Sequence, residues 1–290
     1  MNPKYLLDAY EIAPKKSLGQ NFLQDAHILG KIVAAAELKP GDTVLEIGAG
    51  TGALTVALAQ THAQVVALEI DDRLLPILQR QLGDFPNVEI VQGDIEEVDP
   101  VALVGGGEYT VVANLPYYIT SKIIRLLLES VSRKPRRLVL TIQQEVAERI
   151  VAKPGDMSLL AVSVQFYGKA EIVTKINPGA FFPRPEVASA VIRIDPHIHP
   201  LMSINEEVFF EVVRAGFSQK RKQLKNSLGF GLGISHLEAA QILLSVEVDP
   251  SRRAETLNIE EWGALAHAVA RTLPRSESGR FRASAQAETA

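Results

Sequence analysis

Pro40-Gly41-Asp42-Thr43-Val44-Leu45-Glu46-Ile47-Gly48-Ala49-Gly50-Thr51-Gly52-Ala53-Leu54-Thr55-Val56-Ala57-Leu58-Ala59 reads as a turn, an apolar strand, a glycine-rich loop and a helix in immediate succession. Glycines at 48, 50 and 52 let the backbone approach a ligand with no Cβ in the way. The next apolar run, Val65-Val66-Ala67-Leu68, ends at Glu69. An acid about 20 residues past such a loop can accept hydrogen bonds from both ribose hydroxyls of an adenosine. A tight βα turn alone explains the glycines, but not strand, helix and acid together. Gly48, Gly50 and Ala53 also satisfy the G-x-G-x-x-G/A spacing of dinucleotide sites, so nucleoside binding is indicated and the particular cofactor stays open.

Downstream the alternation continues. Val88-Glu89-Ile90-Val91 runs into Gly93-Asp94, and Asp94 either accepts from an adenine amino group or caps the following turn. Tyr109-Thr110-Val111-Val112-Ala113 is a buried strand ended by Asn114-Leu115-Pro116-Tyr117. A polar amide, a carbonyl that Pro116 keeps out of any helix, and an aromatic ring thus meet at a strand's C-terminal edge, where open α/β sheets bind ligands. Those three groups suit a planar amino-aromatic substrate. A helix over 120–131, a strand over 138–142 and a helix over 143–151 follow, and the βαβα order predicts a parallel, doubly wound sheet. The last two strands, 170–176 and 188–194, are joined by a link too short for a crossover helix. They are predicted to pair antiparallel at the sheet edge. The link, Asn177-Pro178-Gly179-Ala180-Phe181-Phe182-Pro183-Arg184-Pro185-Glu186, offers Phe181, with Phe182 as the alternative, as a stacking partner opposite Tyr117.

Upstream, the arm Ala13-Pro14-Lys15-Lys16-Ser17-Leu18-Gly19-Gln20-Asn21-Phe22-Leu23 is too apolar for a disordered leader and reads as an ordered wall of the site. Asp25 then N-caps a helix whose buried stripe is Ile28, Leu29, Ile32 and Val33. Beyond about Pro200 the pattern turns wholly helical. Asn205 opens a helix with a stripe of Val208, Phe209, Val212, Val213 and Phe217; Ser235 with Glu238, and Asn258 with Glu261, read as capping boxes. Between them lies a basic helix carrying Lys220, Arg221, Lys222 and Lys225, with Gly229 as its stop. Arg133 to Arg137 and Lys15-Lys16 are further basic islands. The expected organisation is an α/β domain over 1–200 including an arm over 1–24, an all-helical domain over 201–274, and a disordered tail over 275–290.

With 290 residues and 47% hydrophobic content, the chain can bury one large core and a smaller one. No run approaches the roughly 20 apolar residues of a membrane span, and the polar N-terminus is unlike a signal peptide, so a cytoplasmic protein is expected. Zero cysteines exclude disulfides, thiolate zinc sites and a cysteine nucleophile. His197 and His199 stand near Pro200 without a cysteine or acid cluster, so no metal is expected. The net charge of −4 means that nucleic-acid binding has to rest on the local basic islands.

Lys16-Ser17-Leu18-Gly19-Gln20-Asn21-Phe22-Leu23, Glu46-Ile47-Gly48-Ala49-Gly50-Thr51-Gly52, Asn114-Leu115-Pro116-Tyr117-Tyr118 and Phe181-Phe182-Pro183-Arg184-Pro185-Glu186-Val187 together resemble the ribosomal RNA adenine N6,N6-dimethyltransferase family. The match is to its bacterial small-subunit (16S) branch, associated with kasugamycin sensitivity, and runs in order from about residue 14 to 270. The resemblance implies S-adenosylmethionine as methyl donor, a Rossmann-like class I methyltransferase fold with an antiparallel last strand, small-subunit rRNA as substrate, and transfer of two methyl groups. It also carries donor-binding roles onto Asn21, Leu23, Gly48, Gly50, Glu69, Asp94 and Asn114. Ala188 departs from the family pattern, which has a polar residue there, but is not a proposed ligand.

The chemistry is consistent with that resemblance. The N6 lone pair of adenine is delocalised into the ring; accepting its two N–H groups at the Asn114 side-chain oxygen and the Leu115 carbonyl would aim the nitrogen at the methyl carbon. Catalysis then rests on positioning and electrostatics, with Tyr117 and Phe181 clamping a base drawn out of its stack. Two other readings stand beside it. A nicotinamide-dependent oxidoreductase could use the same glycine loop, but it needs a catalytic acid where this chain has Asn-Leu-Pro-Tyr. A non-catalytic RNA-binding or ribosome-assembly factor could keep the fold without the chemistry. A monomer is expected.

Overall fold

The computed structural model describes residues 2–198, 201–273 and 281. Among the described residues nine strands form two sheets: β1 (Phe22–Leu23), β2 (Thr43–Ile47), β3 (Gln64–Glu69), β4 (Val88–Gln92), β5 (Tyr109–Asn114), β6 (Arg137–Gln143), β7 (Gly168–Ile176), β8 (Phe181–Phe182) and β9 (Ser189–Pro196). Seven of them lie in the order β4-β3-β2-β5-β6-β9-β7, and β1 pairs with β8 in a small separate sheet. β4, β3, β2, β5 and β6 are parallel. β9 runs antiparallel to both β6 and β7, as the short link required. β2, β3, β5 and β6 are buried along nearly their whole length, which is why they read as continuous apolar runs rather than as alternating ones.

The chain runs from β2 outward to β3 and β4, then returns to start again at β5. The order therefore reverses between β2 and β5, and both strands end at the same sheet edge. Such a switch point opens a crevice at the strands' C-terminal ends. The helices Ala26–Ala36 and Ala53–Ala59 cover the sheet there, packing Ile28, Ile32, Leu54 and Leu58 against Val44, Val65, Val112, Val139 and Val191. Asp25 caps the first helix with bonds to the His27 and Ile28 N–H groups.

The chain divides into two compact units: residues 1–148 with 168–196, and residues 149–167 with 197–290. The second is helical. It includes the helix Leu159–Tyr167, a segment without a recognisable period because it is apolar nearly all round. Phe166 of that helix stacks on Phe209 of the helix Glu206–Gly216 at 4.2 Å between ring centres. Gly216 faces the Trp262 ring so closely that a Cβ there would collide with it. Asn258 and Glu261 form the predicted capping box of the helix Ile259–Thr272, and Ser235 accepts from the Glu238 N–H.

Three details differ from the sequence reading. Lys220, Arg221 and Lys222 stand in the turn after residue 216, not on a helix; only Lys225 lies on the following helix, Leu224–Leu232. Gly229 does not stop that helix. It is buried within it because a Cβ would stand 3.0 Å from the His236 ring, and Gly233, at φ +69°, is the stop. The helix expected over 120–131 is α-helical over Thr120–Arg125 and then widens into a π turn at Leu126–Ser130. The tail expected over 275–290 lies outside the described residues apart from Phe281, as does His199.

Candidate active site

Glu69 is the last residue of β3 and is almost fully buried. One carboxylate oxygen accepts from the Gly50 N–H at 2.6 Å and the other from the Asp71 N–H at 2.8 Å. Glu69 therefore draws the glycine loop onto the strand end, and the Gly48 and Ala49 N–H groups donate to the Leu68 carbonyl beside it. Gly48 and Gly50 adopt φ of +78° and +60°, a region that L residues avoid. A Cβ on Gly50 would also stand 3.0 Å from the Phe22 ring. The glycines are thus required by backbone geometry and by the nearness of the arm. Burial raises the Glu69 pKa above the ordinary carboxylate value, against the opposing pull of the Asp71 and Gly50 N–H groups.

Behind Glu69 lies a second acid in β2. Glu46 is fully enclosed, with Oε2 lacking a partner among the described residues. Burial pushes its pKa up to about 8; the Thr55 hydroxyl opposes this and the Glu69 carboxylate adds to it.

The arm is fastened at both ends. At one end the Asp71 carboxylate, with no exposed surface, accepts from Arg73 Nη2 at 2.6 Å and Nε at 2.9 Å, and from Gln20 Nε2 at 2.8 Å, with Lys15 Nζ at 3.5 Å. Hydrogen bonds from Arg73 hold its pKa well below the usual carboxylate range. At the other end β1 pairs antiparallel with β8, setting Phe22 opposite Phe182 and Leu23 opposite Phe181. Between these anchors the Asn21 carbonyl accepts from Asn114 Nδ2 at 2.8 Å. That bond fixes which way the Asn114 amide points: the nitrogen is committed to the arm, and Oδ1 accepts from none of the described residues.

Asn114 stands at the end of β5, and the chain then turns through Leu115 and Pro116. The Leu115 N–H donates to the Thr141 carbonyl at 3.1 Å, and the Leu115 carbonyl accepts nothing from the described residues. Tyr117 is fixed by a 2.8 Å bond between its hydroxyl and that of buried Ser189 at the start of β9. Burial raises its pKa, opposed by that bond.

Of the residues singled out in the sequence, Asn21, Gly48, Gly50, Glu69, Asn114, Leu115, Tyr117 and Phe181 line one cavity. Two of the donor-binding candidates are not among its lining. Leu23 packs into the core with Phe181, and Asp94 accepts from the Glu96 N–H through Oδ1, a cap that occupies one of its two carboxylate oxygens. Phe181, not Phe182, shares this cavity with Tyr117; Phe182 packs beside Phe22 and Leu74. Sequence reasoning passes over Asp71, Gln20 and Ser189. Only Asp71 leaves a signal, as the second acid of Glu69-Ile70-Asp71-Asp72-Arg73 at the end of a buried strand. The cavity combines a carboxylate suited to a ribose diol, two acceptors suited to an exocyclic amine, and the aromatic rings of Phe22, Tyr117 and Phe181. Among the described residues no cluster of three or more His, Asp or Glu could hold a metal ion.

Residues 13–265 match the family model for ribosomal RNA adenine dimethylase. The chain is 45% identical to ribosomal RNA small subunit methyltransferase A of Dehalococcoides mccartyi (strain CBDB1) over 264 residues, covering 90% of each chain. It is also 45% identical to the protein of that name from Geobacillus kaustophilus (strain HTA426), over 92% of this chain and 94% of the relative. The fold is similar to the crystal structure of a dimethyladenosine transferase from Plasmodium falciparum, at a TM-score of 0.76 and 26% identity, covering 90% of this chain and 99% of that one. It is also similar to that of the 23S rRNA methyltransferase ErmE, at a TM-score of 0.70 and 29% identity over 86% of this chain and all of the other.

Proposed function

This chain belongs to the ribosomal RNA adenine dimethylase family, and we propose on that premise that its cavity holds a methyl donor and a target adenine side by side. The protein is an S-adenosylmethionine-dependent enzyme that transfers methyl groups to N6 of adenosines in small-subunit rRNA, giving N6,N6-dimethyladenosine. The observation that carries the assignment of roles is the Asn21–Asn114 bond, which leaves Asn114 Oδ1 as an acceptor in the same cavity as Glu69.

The residues present fit the donor. Gly48 and Gly50 place no Cβ where they line the cavity, and the buried carboxylate of Glu69 is placed to accept from ribose hydroxyls. When bound, the donor supplies a methyl group on a positively charged sulfur that already carries its leaving group. The chain then has to orient the amine. Asn114 Oδ1 and the Leu115 carbonyl accept the two N6–H groups, so that developing positive charge on nitrogen meets two fixed dipoles. Tyr117, pinned by Ser189, is assigned one face of the base, and Phe181, which lines the same cavity, the other. No dedicated base is needed, because the alkylated nitrogen is acidic enough to release its proton to water.

Phosphate contacts position the RNA. Lys220, Arg221 and Lys222 are exposed and enter no ion pair with the described residues, and we assign them, with Lys225, to that role. Replacing Lys220, Arg221 and Lys222 together by Ala is expected to weaken rRNA binding and to flatten its salt dependence. The log–log slope should fall by about 0.7–0.9 for each phosphate that these side chains neutralise. Filter binding across a salt series measures this, and an unchanged slope would remove these residues from the interface. We further place the protein in the cytoplasm, acting as a monomer on the assembling small subunit during ribosome biogenesis.

The direct test is transfer of labelled methyl groups from S-adenosylmethionine to under-methylated small ribosomal subunits, with the RNA digested to nucleosides. Labelled N6,N6-dimethyladenosine is expected. No labelled nucleoside, from protein that binds both donor and subunit, would favour a non-catalytic assembly factor.

A further inference from the structure

We propose that Lys16 and Arg184 form a phosphate subsite for the RNA strand on either side of the target base. The subsite presupposes that the neighbouring cavity methylates adenine. A second cavity of about 460 Å³ shares Gly19, Gln20, Asn21 and Tyr117 with the first, so the two adjoin along the arm and Tyr117. One wall is the arm and the other is the link after β8; Lys16 comes from the first and Arg184 from the second.

The structure separates these cations from their neighbours. Lys15, adjacent in sequence, turns inward to the buried Asp71. On the same unit, Lys122 is paired with Glu96 and Arg125 with Glu129. Arg136 is paired with Asp42, Arg137 with Glu37 and Asp195, and Arg193 with Asp195. Lys16 and Arg184 are both exposed and have no carboxylate partner among the described residues. The cavity contains one acid, Glu186, so its charged lining has a net positive balance.

An exposed lysine or arginine is ordinarily a solvated charge. These two differ in position: they stand on opposite walls of a cavity that Tyr117 also lines, next to the one that holds Asn114 and Leu115. A base drawn out of its stack leaves the adjoining phosphates outside the slot, and one cation from each wall is placed to hold them. Such contacts carry no base information; they hold the nucleotide in place while Asn114 and Leu115 read the amine.

The test is a Lys16→Gln/Arg184→Gln double variant beside the single Arg184→Gln and Arg184→Lys variants. It uses under-methylated small subunits as methyl acceptor, a single-stranded rRNA fragment for binding, and S-adenosylhomocysteine as a probe of the donor site. For the double variant we expect the salt slope of RNA binding to fall by about 1.4, from about 0.7 per phosphate on a single strand. The KM for the subunit is expected to rise about tenfold, while S-adenosylhomocysteine affinity and thermal midpoint are unchanged. Arg184→Lys should recover most of the slope that Arg184→Gln loses. An unchanged slope in a double variant that still binds S-adenosylhomocysteine would overturn the subsite. Should the double variant lose donor binding through a disturbed arm, the Arg184→Gln and Arg184→Lys pair decides alone, since Arg184 lies outside the arm. Wild-type protein that binds subunit and donor but yields no methylated adenosine would instead overturn the functional reading.

Discussion

Asn114→Ala is expected to lower the rate of methyl transfer by about 10²–10³, the usual cost of deleting one preorganised group at a transition state, while rRNA binding stays close to wild type. The substitution removes Oδ1, which accepts one N6–H, and leaves the Asn21 carbonyl without its donor at 2.8 Å. Asn114→Asp tests orientation rather than presence. Its carboxylate has nearly the same shape and retains acceptors, but it sets an anion against the Asn21 carbonyl where a donor used to be. The side chain or the arm must then rotate. A defect in Asn114→Asp approaching that of Asn114→Ala means that the Asn21 bond sets the catalytic direction of the amide. Near-normal turnover in Asn114→Asp means that an acceptor there suffices whatever its orientation. Single-turnover transfer of labelled methyl groups, with filter binding of rRNA alongside, separates chemistry from association. Unchanged turnover in Asn114→Ala would remove Asn114 from the reaction.

What the sequence discloses follows from distance along the chain. Glu69 and the glycines declare themselves because a strand end, a loop, a helix and the next strand end lie within one βαβ unit, and the bond from Gly50 to Glu69 spans only 19 residues. The antiparallel last strand is legible for the same reason, as a link too short to cross over. Gln20 and Ser189 are not legible, and Asp71 shows only as a second acid after a buried strand, with no sign of its partner in the arm. The bonds that give them their roles, Gln20 to Asp71 and Tyr117 to Ser189, span 51 and 72 residues, and nothing local requires them. The basic cluster misleads in a different way. Lys220, Arg221 and Lys222 follow a helix and precede another, so charge and propensity continue the helical pattern through a turn that only packing reveals. Gly229 misleads likewise: a glycine near a helix end signals a stop, yet here it makes room for His236.

Glu69→Ala is expected to weaken S-adenosylhomocysteine binding by about 100-fold or more. Charge-assisted hydrogen bonds are worth about 1.5–3 kcal/mol each, and losing two of them to a ribose diol exceeds the roughly 1.4 kcal/mol that corresponds to tenfold in affinity. The same carboxylate also organises the loop, so its removal leaves the Gly50 and Asp71 N–H groups without their acceptors at 2.6 and 2.8 Å. Glu69→Gln should fall between, since the amide retains one acceptor and can bond only one of those N–H groups without a donor facing a donor. The pH dependence carries a second, independent signature. Burial raises the Glu69 pKa above the ordinary 4.5, so in the free protein it takes up a proton at a higher pH than a solvent-exposed glutamate does. The protonated form is the poorer acceptor for ribose hydroxyls. Donor affinity in the wild type is therefore full above that raised pKa and falls as the pH is lowered through it, beginning above 4.5. Glu69→Gln has no proton to gain there and should show a flat profile over that window. Calorimetric titration of S-adenosylhomocysteine at a series of pH values reads both effects at once. Equal affinity in Glu69→Ala and wild type would move the ribose elsewhere in the cavity. A pH dependence that survives in Glu69→Gln would place the titrating group elsewhere, with buried Glu46 next in line because its pKa is pushed up to about 8.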